Sequence, residues 1–305
     1  MVILGGQGAG KSSMILRTLD IAYDLFGGEG VYLLRFASLT KDTSTHQRLL
    51  RSLCSQLYDI LHMDNHILHC SFTQLVNAFF ALLNQLSKGT RRWVIAVDDI
   101  DRLPISGSGA NDVEWLTRKL PHKVHIIVSC DVQYFNSETM SSVKKALNKK
   151  DCLISIPSLN KEQVDNMAKS LMTWKKRRLT ADQMTSLVTS VMKQPSPLLL
   201  RLSCDIAARW RSDHVMNGWQ PNSTLPAMVG CLLEETERKY GKKLVTKMGT
   251  YLCAALQGLT DGEMSRLLLR GMAGKSGGGK DQQRSTLMTD YYQHRWLQVK
   301  LHLGR

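Results

Sequence analysis

No apolar stretch in the 305-residue chain approaches the roughly 18 residues that a membrane helix needs. The longest candidate, Val76–Leu83, is only about two helical turns. The first twenty residues lack the basic-then-apolar order of a secretory leader, and Lys11 sits among glycines. The seven cysteines are odd in number, widely spaced and mostly set in apolar runs, without a C-x-x-C pair. That excludes a disulfide framework and a cysteine metal knuckle, and it fits reduced, buried thiols in a cytoplasmic protein. No internal repeat is present, so a solenoid is excluded. Acid is in short supply: 26 Asp and Glu face 40 Lys and Arg, a formal charge of +14.

The deficit is local. Residues 1–140 carry 13 basic and 13 acidic side chains, whereas residues 141–305 carry 27 and 13. The first part is neutral and the whole excess belongs to the second. With 43% hydrophobic and 22% charged residues the composition is that of a globular protein, long enough for one large domain or about two ordinary ones.

Hydrophobic patterning separates the same two parts. The first alternates short apolar runs with amphipathic segments, which predicts βαβ units around a parallel sheet. Strands are expected at Val2–Leu4, Val31–Phe36, Trp93–Val97, Val124–Ser129 and Cys152–Ile156. Helices are expected over Lys11–Phe26, with Met14, Ile15, Thr18, Leu19, Ala22 and Leu25 inward, over His46–Leu61, over Phe72–Leu86, and briefly over Val113–Lys119. After Pro157 the strand pattern stops. Leu159–Trp174, Thr180–Met192 and Pro197–Trp210 read as helices, Ser212–Pro226 as a linker, then Leu225–Tyr240 and Leu244–Leu256 as helices. Thr260 and Glu263 have capping-box spacing ahead of one more helix. The expected organisation is an α/β core over residues 1–157, a helical region over 158–225 and a third region over 226–305.

Residues 5–12, Gly5-Gly6-Gln7-Gly8-Ala9-Gly10-Lys11-Ser12, satisfy the pattern G-x-x-x-x-G-K-[ST] between a strand and a helix. Glycines let the backbone curl until its N–H groups converge on phosphate oxygens at the positive end of the helix. Lys11 would reach the β- and γ-phosphates, the Ser12 hydroxyl would ligate Mg²⁺, and Ser13 extends the cradle into the helix. The Gly271–Ser276 segment imitates the end of this motif but has Leu269 where the first glycine belongs, and reads as a loop.

The strand Trp93–Val97 runs into Asp98-Asp99-Ile100-Asp101. On a strand neighbouring that of the loop, Asp98 would hold Mg²⁺ through water, opposite Ser12, and Asp99 or Asp101 would orient or deprotonate an attacking water. Arg102 follows at once and can pair with part of this acid. Ser129, at the tip of the next strand, either senses a γ-phosphate or simply ends the strand.

Gly5–Ser12, Arg35-Phe36-Ala37 with His46–Leu57, and Trp93–Asp101 together resemble the NACHT domain of STAND-type NTPases. Lys193–Leu202 continuing into Ala207–Ser212 resembles the family's helical segment, and Gln257–Leu269 the opening of its winged helix. The branch most similar is that of animal NACHT and WD-repeat proteins, with nephrocystin and telomerase-associated protein as relatives. The resemblance implies a P-loop NTPase three-layer parallel sheet, an all-α region and a partial winged helix. It also implies a switch driven by ATP and ADP, in which exchange or slow hydrolysis opens the molecule for self-association and binding of protein partners. By position Pro197 would pack near the adenine, although a proline there is equally a plain helix start. Two departures stand out: Arg102 occupies a place usually acidic, which argues against fast hydrolysis, and no sensing histidine can be matched beyond His294 or His302. Three residues of strand before the loop, and no WD-repeat array after Arg305, predict a piece of a larger sensor or scaffold.

Other signals are weaker. His62, His66, His69 and Cys70 have metal-like spacing, but Asp64-Asn65 marks a helix end and a second ligand pair is absent nearby. Lys175–Arg178 and Tyr291–Trp296 combine cations with rings, as nucleic-acid binders do, and read equally as a solvated helix end and an amphipathic final helix. Nucleic acid is therefore not the expected partner. Competing readings of the whole are a constitutive ATPase acting on nucleic acid or on protein conformation, and a scaffold that has lost nucleotide exchange.

Overall fold

A computed structural model describes residues 1–64, 67, 69–104, 112–146, 152–212, 224–255 and 258–272, in two compact units, 1–158 and 159–305. The first unit holds five strands, β1 (Val2–Leu4), β2 (Val31–Phe36), β3 (Trp93–Asp98), β4 (Val124–Cys130) and β5 (Leu153–Ser155), all parallel in the order β2-β3-β4-β1-β5. The acidic strand β3 does not flank β1 as expected. β4 lies between them, pairing Val128, Ser129 and Cys130 with Val2, Ile3 and Leu4 on one side and Val97 with Val128 on the other. Strand order is set by crossover connections, which the sequence does not spell out.

Helices cover both faces. On one, α1 (Lys11–Leu25) rests on Ile3, Val94, Ala96 and Ile127. On the other, α2 (His46–Ile60) and α3 (Phe72–Ser87) bury Leu49, Leu53, Leu57, Phe79 and Leu83 against Trp93, Ile95 and Val97. Successive β3 residues thus serve opposite helical layers, the alternation that a strand buried on both sides must show. Of the face expected inward on α1, Ile15 is buried and Leu19 packs beside it together with Phe26, while Met14 is 40% and Leu25 75% exposed. The contact with the sheet is a narrower stripe of the expected face, centred on Ile15, Leu19 and Phe26, with Met14 and Leu25 left at its exposed edges.

The short helix expected over Val113–Lys119 is a 3₁₀ turn, Glu114–Thr117, that buries Trp115 edge-on to Phe79. Two brief helices, α4 (Val132–Phe135) and α5 (Ser141–Ala146), follow β4 and add Phe135 and Val143 to the α2–α3 side of the core.

In the second unit, α6 (Lys161–Trp174), α7 (Ala181–Val191) and α8 (Pro197–Ala207) bury Ala168, Met172, Leu187, Val191, Leu200 and Cys204 together. Asn160 with Gln163 and Thr180 with Gln183 form capping boxes, each satisfying two N–H groups that a helix start would leave open. Then come α9 (Leu225–Tyr240), α10 (Lys242–Ala254) and α11 (Asp261–Met272). The Thr260–Glu263 box is formed as expected, Thr260 N–H donating to Glu263 Oε2 at 2.8 Å and Glu263 N–H to Thr260 Oγ1 at 3.3 Å. Most of the expected linker, and the whole tail beyond α11 with its glycine-rich loop, Tyr291–Trp296, His294 and His302, lie outside the described residues. Of the 175–178 cations, Lys175 pairs with Asp205 and Arg177 donates to the Trp210 carbonyl, so both tie α6 to α8.

Among the described residues no helix is long and apolar enough to cross a membrane, and no group of three His, Cys, Asp or Glu could hold a metal ion. His66 lies outside the described residues. All seven cysteines are free, and burial pushes the Cys54, Cys130 and Cys204 thiols up to about 12. Such thiols pack as small apolar groups and do not react.

Truncating Leu53, which is wholly buried between α2 and the sheet, removes a side chain from a site that cannot collapse. Leu53→Ala is expected to lower stability by about 2–5 kcal/mol, read as a shift of the urea midpoint. Ile60→Ala, at the exposed end of the same helix, should change it by less than about 1 kcal/mol.

Candidate phosphate-binding site

Leu4 ends β1 in the middle of the sheet, and the chain turns through Gly5–Gly10 directly into α1. Gly5 is buried, its N–H donating to the Cys130 carbonyl at 3.3 Å. A Cβ at Gly5 would stand 3.1 Å from that of Ala9 and 3.5 Å from that of Ile156, so the loop closes tightly only around glycine. Gly10 has φ +97°, the left-handed conformation that costs an L side chain roughly 1–2 kcal/mol. It caps α1 without a side-chain bond, so the N–H groups of Lys11, Ser12 and Ser13 open the helix towards the loop.

Lys11 is only 9% exposed. Its Nζ donates to the carbonyls of Gly5 at 3.2 Å and Gly6 at 3.5 Å and lies 3.6 Å from Asp99 Oδ1. The lysine of the loop and the carboxylates after β3 therefore meet, although β4 separates their strands. Asp99 has φ +53° and also receives Arg102 Nε at 3.0 Å, the local pairing expected from sequence.

Ser129 joins these parts. Wholly buried at the end of β4, its hydroxyl donates to Asp98 Oδ1 at 2.5 Å and accepts the Asp99 N–H at 2.8 Å. Asp98 is 2% exposed, and among the described residues no Lys or Arg pairs with it. Asp101 Oδ1 accepts the N–H of Asp131, whose own carboxylate caps α4 through the Gln133 N–H. Burial pushes the Asp101 carboxyl above its ordinary value. The N–H groups of Asp101 and Asp131 and the charge of Lys11 oppose that rise, and Asp99 adds to it. Sequence reasoning missed Asp131; the only available signal was an Asp between a strand end and an apolar turn, which is an N-cap pattern.

Gly5, Gly6, Gln7, Gly8, Ala9, Gly10, Lys11, Ser12, Ser13, Asp98, Asp99, Asp101 and Ser129 all lie in the first unit, on the loop, the start of α1 and the ends of β3 and β4. Pro197 lies in the second unit, at the first position of α8 behind its cap Ser196.

No protein-family profile matches the chain. Two curated relatives are the NACHT domain- and WD repeat-containing protein 1 of Mus musculus, 25% identical over 281 residues, and the NACHT and WD repeat domain-containing protein 2 of Homo sapiens, 24% identical over 274. Each alignment covers 88% of this chain but only 17% and 16% of the relative, so the chain spans about one sixth of their length. Solved structures with a similar course include the ORC1 protein of Aeropyrum pernix in complex with DNA, with 15% identity, TM-score 0.47, and coverage of 97% of this chain and 77% of that one. A Walker-type ATPase of Pyrococcus abyssi gives 14% identity, TM-score 0.49, and coverage of 97% and 84%. At that level the fold assignment rests on the strand order and the loop themselves.

Because Asp101 is pushed up by burial, its ionisation costs stability as pH rises through its folded-state value, while below 3.8 it is protonated folded or unfolded and costs nothing. Asp101→Asn keeps an oxygen for the Asp131 N–H. It is expected to be more stable than the wild type at neutral pH, with the advantage gone below 3.8. Urea midpoints at the two pH values check this, and lower stability at neutral pH would mean that Lys11 and the backbone bonds outweigh burial.

Loop, lysine and acidic strand end thus come together in one α/β unit. The chain carries the loop and parallel sheet of the P-loop fold and is similar over most of its length to NACHT and WD repeat-containing proteins.

Proposed function

We propose that the chain is an ATP- and ADP-binding regulatory switch within a larger signalling or scaffold protein, with slow Mg²⁺-dependent ATP hydrolysis that controls self-association and the binding of protein partners. The observation that carries this reading is the Lys11 ammonium, held between the loop carbonyls and Asp99 where phosphate oxygens would replace the carboxylate. Phosphates would rest on the N–H groups of the loop and the first turn of α1, with Lys11 reaching the β- and γ-phosphates.

The residues fit a magnesium ion. Asp98 is a buried carboxylate balanced by a hydroxyl and not by a cation, and charges so placed call for one. Ser12 and Asp98 would hold Mg²⁺, which would supply neutralisation of phosphate charge. Ser129 keeps the Asp98 carboxylate aimed, and its contact with the Asp99 N–H couples that aim to the neighbouring backbone. Asp99 and Asp101 are the candidate bases. Asp99 is held by Arg102 as well as by Lys11. With one cation on each of its carboxylate oxygens, Asp99 has neither oxygen free to take up a water, which favours a slow switch.

The +14 concentrated beyond residue 140 supports a second reading, a constitutive ATPase that acts on nucleic acid or on protein conformation. Turnover separates the two. A switch retains ADP through purification and turns over well below about 1 per second; the constitutive enzyme reaches that rate and is stimulated by its polymer.

Mass spectrometry of the purified protein is expected to show ADP near one equivalent. Lys11→Ala should lose it, whereas Asp98→Ala should keep nucleotide binding and lose Mg²⁺-dependent hydrolysis by about 100-fold or more. ATP binding by Lys11→Ala equal to that of the wild type would overturn the site.

A further inference from the structure

At the far edge of the sheet lies a second cationic site. The end of β2, the turn at Lys41–Thr43 and the outer face of α2 enclose a cleft of about 480 Å³, within the range of small-ligand sites. β2 stands three places from β1 in the sheet, so the cleft is about 14 Å of strand spacing away from the phosphate-binding loop. Arg35, Lys41, Arg48 and Arg51 line it, against two carboxylates, Asp42 and Asp59. Among the described residues none of these cations forms an ion pair.

The four cations are not equivalent. Arg35 is built in: its Nε donates to Ser52 Oγ at 3.1 Å, Nη1 to the Leu34 carbonyl at 3.1 Å, and Nη2 to Gln56 Oε1 at 2.6 Å and to the Ser52 carbonyl at 3.3 Å. Burial without an acid partner pulls its pKa below the ordinary value. The fold therefore holds a half-buried, uncompensated guanidinium in a fixed place, an arrangement that costs stability unless an anion is near. Arg48 and Arg51 stand one turn apart on α2, on the face opposite Leu49, Leu50 and Leu53. Arg48 uses Nη1 on the Lys41 carbonyl and Ser44 Oγ. Arg51 gives Nη2 to the Cys70 carbonyl at 3.4 Å, and its Nε is buried with no hydrogen-bond partner. A buried N–H left open is costly and rare, and a small turn of the Arg51 side chain, which lines the cleft with three further cations, would offer it to an oxyanion.

We propose that this cleft binds a compact anion bearing phosphate groups, with Arg48 and Arg51 donating to its oxygens and Arg35 and Lys41 supplying field. Guanidinium groups match phosphate oxygens two at a time, which a pair spaced by one helical turn can do together. Asp42 and Asp59 leave a small surplus of positive charge, enough for a compact anion and poorly suited to an extended polyanion running past them. The site is independent of nucleotide binding at the loop.

Calorimetric titration of the full chain carrying Lys11→Ala, which takes the P-loop out of the measurement, tests this with inorganic tripolyphosphate and inorganic phosphate as probes. One site is expected, tighter for tripolyphosphate. Arg48→Gln and Arg51→Gln should each weaken it about tenfold or more, and Lys88→Gln, at the exposed end of α3, should leave it unchanged. Thermal melts confirm that the variants fold, and Arg48, being exposed, keeps the test valid if Arg51→Gln does not. No binding, or affinity indifferent to both arginines, overturns the proposal. So does loss shared equally by Lys88→Gln, the mark of general charge attraction. Tighter capture of a single-stranded oligonucleotide through the same arginines, with a salt dependence reporting several phosphates, would make the cleft a polymer groove and overturn the compact ligand.

Discussion

An ammonium group almost out of water must be surrounded by oxygen, and the first unit is arranged around that demand. Lys11 meets it with two loop carbonyls and the Asp99 carboxylate. The carbonyls are available because Gly10 takes a left-handed conformation and Gly5 admits a close backbone approach. Asp99 is available because Ser129, on the strand between, bonds its N–H and fixes the turn after β3. Removing any of these would leave a buried charge short of partners, which is among the more expensive defects in a folded protein.

The same network explains why the polar machinery is gathered at one end of the sheet. Parallel strands present their carboxyl ends together, and the loops that follow can share hydrogen bonds only there. Ser129 touches Asp98 and the Asp99 backbone, and Asp101 accepts from the N–H of Asp131, so β3 and β4 are cross-linked by side chains just past the ladder. Beneath them the core is apolar on both faces, with Val94 and Ala96 under α1 and Trp93, Ile95 and Val97 under α2 and α3. That rigid platform suits groups that have to be held at hydrogen-bond precision.

Charge is handled differently inside the sheet and at its β2 edge. Near β1, cation and carboxylates pair: Lys11 and Arg102 both meet Asp99. Near β2, Arg35 is fixed by neutral oxygens alone and Arg51 keeps a buried N–H open. In the helical unit, cations from the most basic stretch are partly absorbed by structure, Lys175 by Asp205 and Arg177 by a carbonyl. A net charge counted along the chain therefore says little about how much of it faces a partner.

The glycine pattern of residues 5–12, the apolar runs of all five strands and the capping residues of α11 were legible in the chain itself, because they report local conformation. Turn geometry, side-chain alternation and helix caps depend on neighbours within a few residues. What only the tertiary structure decided is which distant pieces meet. The place of β4 between β1 and β3, the exposure of Met14 and Leu25 on α1, and the bonds from Ser129 and Asp131 follow from crossover and packing between segments about 30 to 125 residues apart. Nothing along the chain brings Arg35, Arg48 and Arg51 together; a strand edge and one helix face make them a cleft.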